Sequence, residues 1–145
     1  GSAVAQAAIK LGVERLTVID TEPARAGEVA AAVVERFGSG RAEAGTDLRA
    51  ALATADGVIN TTPVGMAKFP GSPVSVELLR PDLWVAEIIY FPLETELLRN
   101  ARAIGCRTLS GGGMAVFQAV DAFRLITGSE PDPERMARHF AEMVG

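Results

Sequence analysis

Hydrophobic residues along the 145-residue chain follow two alternating patterns. Short runs rich in Val, Ile and Leu predict strands at residues 15–20, 57–62 and 84–90, and weaker runs predict strands at 41–45 and 106–111. The longer stretches between them repeat apolar residues every three or four positions, which predicts helices. These stretches cover residues 2–12, 22–38, 46–55, 94–105 and 113–128, and a last amphipathic helix is predicted within 129–145.

The order of these elements predicts the fold class. Continuous Val and Ile runs are typical of strands that are buried on both faces of a sheet. Helices that cross between consecutive strands imply parallel pairing with right-handed connections. We therefore predict that residues 1–145 form a doubly wound, Rossmann-like α/β domain, with a mostly parallel sheet and helices on both faces.

The start of the chain departs from that fold in one respect. A doubly wound sheet begins with a strand, whereas residues 2–12 open on a helix rich in alanine, which suits close packing on a sheet. Our interpretation is that the first strand is absent and that the chain is the C-terminal fragment of a two-domain protein. The initial Gly-Ser pair is either native or a cloning remnant.

Composition and charge exclude several classes of function. The formal charge of −4 and the scattered Lys and Arg residues give no basic face for nucleic acid. No apolar run is long enough for a membrane span, and no basic leader is present, so we expect a cytoplasmic protein without a membrane partner. Cys106 is the single cysteine, which excludes an internal disulfide, and we expect neither a metal site nor a nucleophilic role for this thiol.

Gly1 and Asp20 have the spacing of part of a dinucleotide-binding fingerprint. In that fingerprint an acidic residue at a strand end follows the glycine-rich turn by about 20 residues and binds the adenosine ribose. Asp20 closes a predicted strand, and Gly1 would be the last glycine of the turn. As an alternative, Asp20 is a helix N-cap ahead of Glu22 and Pro23, a role compatible with ribose binding.

Two further segments suggest contact with a ligand. Three glycines, residues 111–113, precede a helix that carries Met114 and Gln118 on one face, so a flat ring could approach the backbone there. In the alternative interpretation the glycines serve packing and Gln118 is a satisfied core amide. The stretch "NTTPVGM", residues 60–66, ends a predicted strand, where open α/β sheets bind ligands. It is also compatible with an ordinary turn.

The stretches "NTTPVGM" and "EIIYFPLETELLRNARAIGCRTLSGGGMAVFQAVDAFRLITG" resemble the C-terminal nucleotide-binding domain of the shikimate dehydrogenase family, and most closely its quinate/shikimate dehydrogenase branch. The resemblance implies an enzyme that oxidises the C3 hydroxyl of shikimate or quinate with NAD or NADP. In that family, substrate lies between this domain and an N-terminal substrate domain, which supplies the catalytic Lys and Asp. The resemblance therefore implies no catalytic residue in this chain, and it leaves a homodimer open.

The resemblance also assigns the residues of the site. Tyr90 and Gln118 would bind the substrate, and the cofactor would contact Gly1, Asp20, Thr21, Arg25, Thr61, Thr62, Pro63, Ile88, Gly111 and Met114. NADP-dependent members carry an "NRT"-like sequence where this chain has "DTE", residues 20–22, so NAD is the expected cofactor. Arg25 is the main argument for NADP, because it lies a turn away from Asp20 and could reach the 2′-phosphate. The alternatives are an NADP-dependent biosynthetic shikimate dehydrogenase and a non-catalytic domain that binds or senses a dinucleotide.

Overall fold

The computed structural model describes residues 1–144, in which helices and strands alternate as the sequence predicts. Every predicted strand and helix is present, and most are shorter than predicted. In chain order the elements are α1 (Ser2–Lys10), β1 (Leu16–Ile19), α2 (Pro23–Phe37), β2 (Ala42–Gly45), α3 (Leu48–Thr54), β3 (Gly57–Asn60), a 3₁₀ helix (Val76–Leu78), β4 (Trp84–Glu87), α4 (Glu96–Ile104), β5 (Arg107–Leu109), α5 (Gly112–Thr127) and α6 (Pro133–Val144).

The strands pair in parallel throughout the described residues. Strand β1 pairs with β2, and β4 pairs with both β3 and β5. The predicted α/β class with parallel strands is therefore confirmed. The strands nevertheless form two sheets, one of two strands and one of three, where we expected one sheet. The chain divides accordingly into two compact units, Gly1–Ala55 and a second that begins at Asp56.

The core of the first unit lies between its helices and the sheet of β1 and β2. Helix α2 begins with Pro23 in its first turn and buries Ala26, Ala30 and Val33, which share one helical face. Ile9 of α1 packs into the same cluster. Small residues on both helices allow α1 and α2 to pack closely against each other.

The second unit is organised around β4. Helix α4 packs against β4 and β5, and it buries Leu97 and Leu98 completely. The Thr95 side chain caps α4 by accepting a hydrogen bond from the Leu98 N–H, and Gly105 ends the helix in a left-handed conformation with φ of 97°. Helix α5 packs against α6. These contacts place the carboxyl ends of β3 and β4 beside the start of α4.

The strands are shorter and less buried than the Val and Ile runs predict. The expectation that these strands are buried on both faces is wrong for β1, in which no residue is fully buried. In a sheet of only two strands, each strand has a neighbour on one edge alone, so its side chains remain partly accessible to solvent. The predicted strand at 84–90 ends at Glu87, because the Glu87 carboxylate accepts the Ile89 N–H at 3.3 Å. The predicted strand at 57–62 ends at Asn60, whose side-chain oxygen accepts the Thr62 N–H at 2.9 Å.

Cys106 is buried, as expected for a small apolar residue. Its Sγ donates to the Arg80 carbonyl at 3.2 Å, and burial raises the pKa of the thiol, which lowers the fraction of reactive thiolate. Within residues 1–144, no group of three or more His, Cys, Asp and Glu side chains is arranged to hold a metal ion. None of the described helices is both long enough and apolar enough to span a membrane.

Candidate functional site

In the first unit the predicted site residues follow β1 directly. Asp20 is exposed at the carboxyl end of the strand, and its Oδ1 accepts hydrogen bonds from the Glu22 N–H at 2.9 Å and the Thr21 hydroxyl at 3.3 Å. These bonds turn the chain from β1 into α2. The alternative in which Asp20 is the helix N-cap is wrong, because Glu22 occupies that position. The turn holds the Asp20 carboxylate at the carboxyl edge of the two-stranded sheet.

Arg25 forms an ion pair one turn into α2. Its Nε lies 3.1 Å from Oε2 of Glu22, and both side chains are largely exposed. An exposed pair of this kind contributes little to stability. It does hold the Glu22 carboxylate two residues after Asp20 and balances the charge of the guanidinium.

Gly1 precedes the first turn of α1 as its N-cap. Its carbonyl oxygen accepts the Ala5 N–H at 2.9 Å, so the helix begins directly at this glycine. The first amide groups of a helix have no partner within it and favour a nearby anion. The contact of Gly1 with the pyrophosphate stays a prediction.

In the second unit, three predicted segments come together. Asn60 and Glu87 are partners in the parallel register of β3 and β4, so the segments that follow them leave the same edge of the sheet. A Cβ added to Gly65 would lie 3.0 Å from Cδ1 of Ile89. A Cβ added to Gly111 would lie 2.6 Å from the Ile88 carbonyl oxygen. The turn after β3, the segment after β4 and the start of α5 are thus in contact.

The three glycines at 111–113 have different surroundings. Gly111 touches the backbone of residues 88 and 89, and a Cβ at Gly112 would meet Leu93 at 2.9 Å and Phe140 at 3.2 Å. Nothing lies within 4 Å of a Cβ added to Gly113. Packing within the chain therefore accounts for the first two glycines, and only the third leaves open space for a ligand.

The predicted substrate residues lie at the surface of the second unit. Tyr90 is 50% exposed, and Gln118 on α5 is exposed as well. The interpretation of Gln118 as a core amide is therefore wrong. Met114, one turn before Gln118, is half-buried. Both Tyr90 and Gln118 can offer polar groups to a small polar molecule.

The two adjacent threonines after β3 have distinct roles. The Thr62 hydroxyl donates to Asn60 Oδ1 at 2.8 Å and accepts the Val64 N–H at 3.2 Å, so it builds the turn itself. The interpretation as an ordinary strand-ending turn describes Thr62. Thr61 is half-buried and Pro63 is exposed beside it. Of the two hydroxyls, that of Thr61 is the better candidate for contact with a ligand.

Sequence reasoning missed a buried polar cluster at this edge, formed by Asn60, Glu87 and Thr95. Oε2 of Glu87 accepts hydrogen bonds from Asn60 Nδ2 and from the Thr95 hydroxyl, each at 3.1 Å. Burial raises the pKa of Glu87 above its ordinary value, and hydrogen bonds from Asn60, Ile89 and Thr95 lower it in part. The sequence did carry a signal for this cluster: the apolar strands β3 and β4 each end on a polar residue, Asn60 and Glu87.

Comparison with known proteins gives matches over the whole chain. No protein-family profile matches. Shikimate dehydrogenase (NADP(+)) from Streptomyces avermitilis is 57% identical over 100% of this chain and 50% of the relative. Quinate/shikimate dehydrogenase (NAD(+)) from Corynebacterium efficiens is 49% identical over 99% of this chain and 51% of the relative. The chain thus spans about half the length of these curated relatives.

Solved structures give the same result for the fold. Quinate dehydrogenase from Corynebacterium glutamicum in complex with NAD has a TM-score of 0.91 and 44% identity, over 98% of this chain and 51% of that one. Shikimate 5-dehydrogenase from Listeria monocytogenes in complex with shikimate and NAD has a TM-score of 0.77 and 28% identity, over 99% and 51%. In its sequence and its Rossmann-like fold, the chain is therefore similar to shikimate and quinate dehydrogenases over about half of their length.

Proposed function

We propose that the chain is the dinucleotide-binding domain of a two-domain, NAD-dependent dehydrogenase that oxidises the C3 hydroxyl of shikimate or quinate to a ketone. The proposal extends to this chain what the names of its relatives say of them. An N-terminal substrate domain, outside the present chain, would supply the catalytic Lys and Asp. This chain would bind the cofactor and help to orient the substrate.

The observation that carries the choice of NAD is the position of Asp20 beside the Glu22–Arg25 ion pair. The exposed Asp20 carboxylate can accept hydrogen bonds from both adenosine ribose hydroxyls. A 2′-phosphate would meet that carboxylate and the Glu22 carboxylate, while Arg25 is already paired at 3.1 Å. Thr21 provides no further cation. These charges favour a free ribose hydroxyl over a phosphate.

The second unit would hold the nicotinamide and the substrate. We assign to the nicotinamide half of the cofactor the residues around the two strand ends and the start of α5. Five of them are exposed or half-buried and Gly111 is buried: Thr61, Thr62, Pro63, Ile88, Gly111 and Met114. Gly1 would contact the pyrophosphate. Thr62 and Gly111 would act mainly through the backbone, since their local contacts occupy the hydroxyl and the Cβ space. Tyr90 and Gln118 would hydrogen-bond the substrate.

The chemistry divides between the cofactor and the protein. NAD, when bound, supplies a hydride acceptor for the carbon that carries the C3 hydroxyl. The side chains of this domain hold the two reactants in contact, which is a large part of the rate acceleration in such reactions. The proton of the hydroxyl would pass to the N-terminal domain, because Tyr90 and Gln118 act as hydrogen-bonding groups in this proposal.

One relative favours a second candidate function. The Streptomyces avermitilis enzyme, at 57% identity, is named for NADP(+). An NADP-dependent biosynthetic shikimate dehydrogenase would use the same site with Arg25 turned from Glu22 to the 2′-phosphate. The two candidate functions therefore differ in whether the Arg25 guanidinium pairs with Glu22 or with the 2′-phosphate.

An activity and binding assay of the full-length protein tests the proposal. Shikimate and quinate are each supplied with NAD or NADP, and reduction of the dinucleotide is followed by its absorbance. We expect turnover with NAD and a lower kcat/KM with NADP. A higher kcat/KM with NADP would favour the second candidate. Dinucleotide binding without turnover of either acid would instead support a binding or sensing domain.

A further inference from the structure

Glu87 is a buried carboxylate at the carboxyl end of β4, and only 3% of it is exposed. It faces Asn60, its partner in the parallel register and itself 3% exposed. A buried carboxylate is costly unless hydrogen bonds compensate for the lost water. Its surroundings therefore indicate what the group does.

The donors to Glu87 come from three different segments. Asn60 Nδ2 donates from the end of β3, and the Thr95 hydroxyl donates from the N-cap of α4, both to Oε2 at 3.1 Å. The Ile89 N–H, in the segment after β4, donates to Oε1 at 3.3 Å. All three contacts are donors to the carboxylate, which an ionised, acceptor-only group satisfies.

Asn60 extends this linkage into the turn after β3. Its Nδ2 also donates to the Val64 carbonyl at 3.0 Å, and its Oδ1 accepts from the Thr62 N–H and hydroxyl. Both ends of the Asn60 amide are therefore hydrogen-bonded. Because Glu87 holds the Asn60 side chain, it also fixes the orientation of the turn after β3. Thr61 lies within that turn, and Tyr90 follows Ile89 in the other segment.

We propose that Glu87 is a positioning residue that holds the turn after β3 and the segment after β4 in one arrangement, so that Thr61 and Tyr90 face the ligands together. The identity of the ligands rests on the proposed function. The linkage of the two segments does not, and it can be measured without any ligand.

The proposal requires both oxygens of the carboxylate. A glutamine at this position has nearly the same shape but one acceptor and one NH₂ donor. If the glutamine NH₂ group takes the place of Oε2, it faces the NH₂ group of Asn60, which is also a donor. If it takes the place of Oε1, it faces the Ile89 N–H, again a donor. Either orientation breaks one link. Aspartate keeps two acceptors but is shorter by one methylene.

Hydrogen exchange in the full-length protein, without ligand, tests the linkage. We compare Glu87→Gln and Glu87→Asp with Glu96→Gln, a control that removes an exposed carboxylate from the nearby α4. Exchange at the Thr62, Val64 and Ile89 amides should rise by about tenfold in Glu87→Gln. The Thr62 and Ile89 amides bond Asn60 and Glu87 directly, and the Val64 amide bonds the Thr62 hydroxyl, which itself donates to Asn60. Unchanged exchange at these three amides would overturn the proposal.

Ligand binding tests the consequence of the linkage. The Kd for NAD and the KM for shikimate should rise by about tenfold in Glu87→Gln and by less in Glu87→Asp, with no change in Glu96→Gln. A role in packing alone predicts the reverse order, because glutamine preserves the volume, so greater loss in Glu87→Asp would overturn the proposal. A wild-type protein that binds neither dinucleotide would refute the proposed function, and the exchange result would still decide the linkage.

A second variant covers the case in which Glu87→Gln does not fold. Thr95→Val removes one donor to the same carboxylate, together with the cap on the Leu98 N–H, with little change in shape. It should raise exchange at Ile89 and Thr62 by a few-fold, because Glu87 is then held by fewer partners. Exchange at the wild-type rate in both amides would overturn the proposal.

Discussion

Gly111 lies directly against the backbone of Ile88. A Cβ at position 111 would be 2.6 Å from the Ile88 carbonyl oxygen, which is closer than real Cβ atoms come to backbone. The φ of Gly111 is −71°, a value open to any residue. Glycine is therefore required at position 111 because the start of α5 lies close to the segment after β4, and not because of its backbone conformation.

Gly111→Ala should destabilise the protein, whereas Gly113→Ala should not. The first change forces the backbone of residues 88–89 or the start of α5 to move, at a cost of about 1–3 kcal/mol. The second adds a methyl group in open space on a helix and should contribute about 0.5–1 kcal/mol of stability. Urea unfolding of the two full-length variants measures both, and equal stability of the pair would contradict the packing role of Gly111.

The same pair of variants tests the approach of the nicotinamide. Gly111→Val would not isolate the cofactor contact, because the added side chain would first disturb the packing against Ile88. Gly113→Ala is the cleaner test: it should weaken NAD binding without lowering the melting temperature, if the ring lies against the start of α5. Unaltered NAD affinity would place the ring elsewhere.

Asp20→Asn combined with Thr21→Arg should shift cofactor preference toward NADP. The double change removes a carboxylate that would repel a 2′-phosphate and adds a guanidinium that can bind it. We expect the NADP/NAD ratio of kcat/KM to rise by about tenfold or more. Glu22→Gln measures the contribution of Arg25 separately, since it frees the guanidinium without touching Asp20. Unchanged selectivity in the double variant would remove Asp20 from the ribose site.

Gln118→Ala should alter the substrate kinetics without altering stability. Gln118 is exposed, so its truncation creates no cavity. The loss of one neutral hydrogen bond corresponds to about 0.5–1.5 kcal/mol, or roughly 2- to 12-fold in the KM for shikimate. Any further fall in kcat would indicate a bond that strengthens in the transition state. A lower melting temperature with normal kinetics would contradict the substrate role.

Tyr90→Phe should follow the same kinetic pattern as Gln118→Ala. The change deletes a single hydroxyl from a ring that is 50% exposed, so the fold should be unaffected. The KM for shikimate should rise by roughly 2- to 12-fold, and the Kd for NAD should stay constant. A change in the Kd for NAD of similar size would show that Tyr90 contacts the cofactor instead.

Glu87 should make the stability of the protein depend on pH. Burial raises its folded pKa above the ordinary value of 4.5, so proton uptake favours the folded state. That contribution is fully present below pH 4.5 and is lost as pH rises through the folded pKa. The free energy of unfolding of the wild type, relative to Glu87→Gln, should therefore increase as pH falls from 7 toward 4.5. A difference that is constant over this range would show that Glu87 has an ordinary pKa.

The isolated 145-residue chain should be prone to association. Within the described residues, β1 pairs only with β2 and β3 only with β4, so strand edges remain open. A two-stranded sheet is marginally stable by itself. Size-exclusion chromatography should show aggregates for the isolated chain and a discrete species for the full-length protein. A sharp, reversible melt of a monomeric fragment would contradict this.

The sequence by itself determined the order and type of the elements. The alternation of Val and Ile runs with helical spacing placed β1, α2 and β4 correctly, because hydrophobic periodicity is a local property of the chain. The motifs at 60–66 and 87–128 also carried the resemblance to shikimate and quinate dehydrogenases. Asp20 was placed at a strand end for the same local reason.

The tertiary structure decided which residues at those positions are committed to packing. Gly111 and Gly113 are indistinguishable in sequence, yet one touches the Ile88 backbone and the other faces open space. Glu87 reads as the polar end of a strand, but the parallel register brings Asn60 to it from 27 residues away. Such contacts depend on strand pairing and chain packing, which bring together groups that the local pattern of residues does not relate.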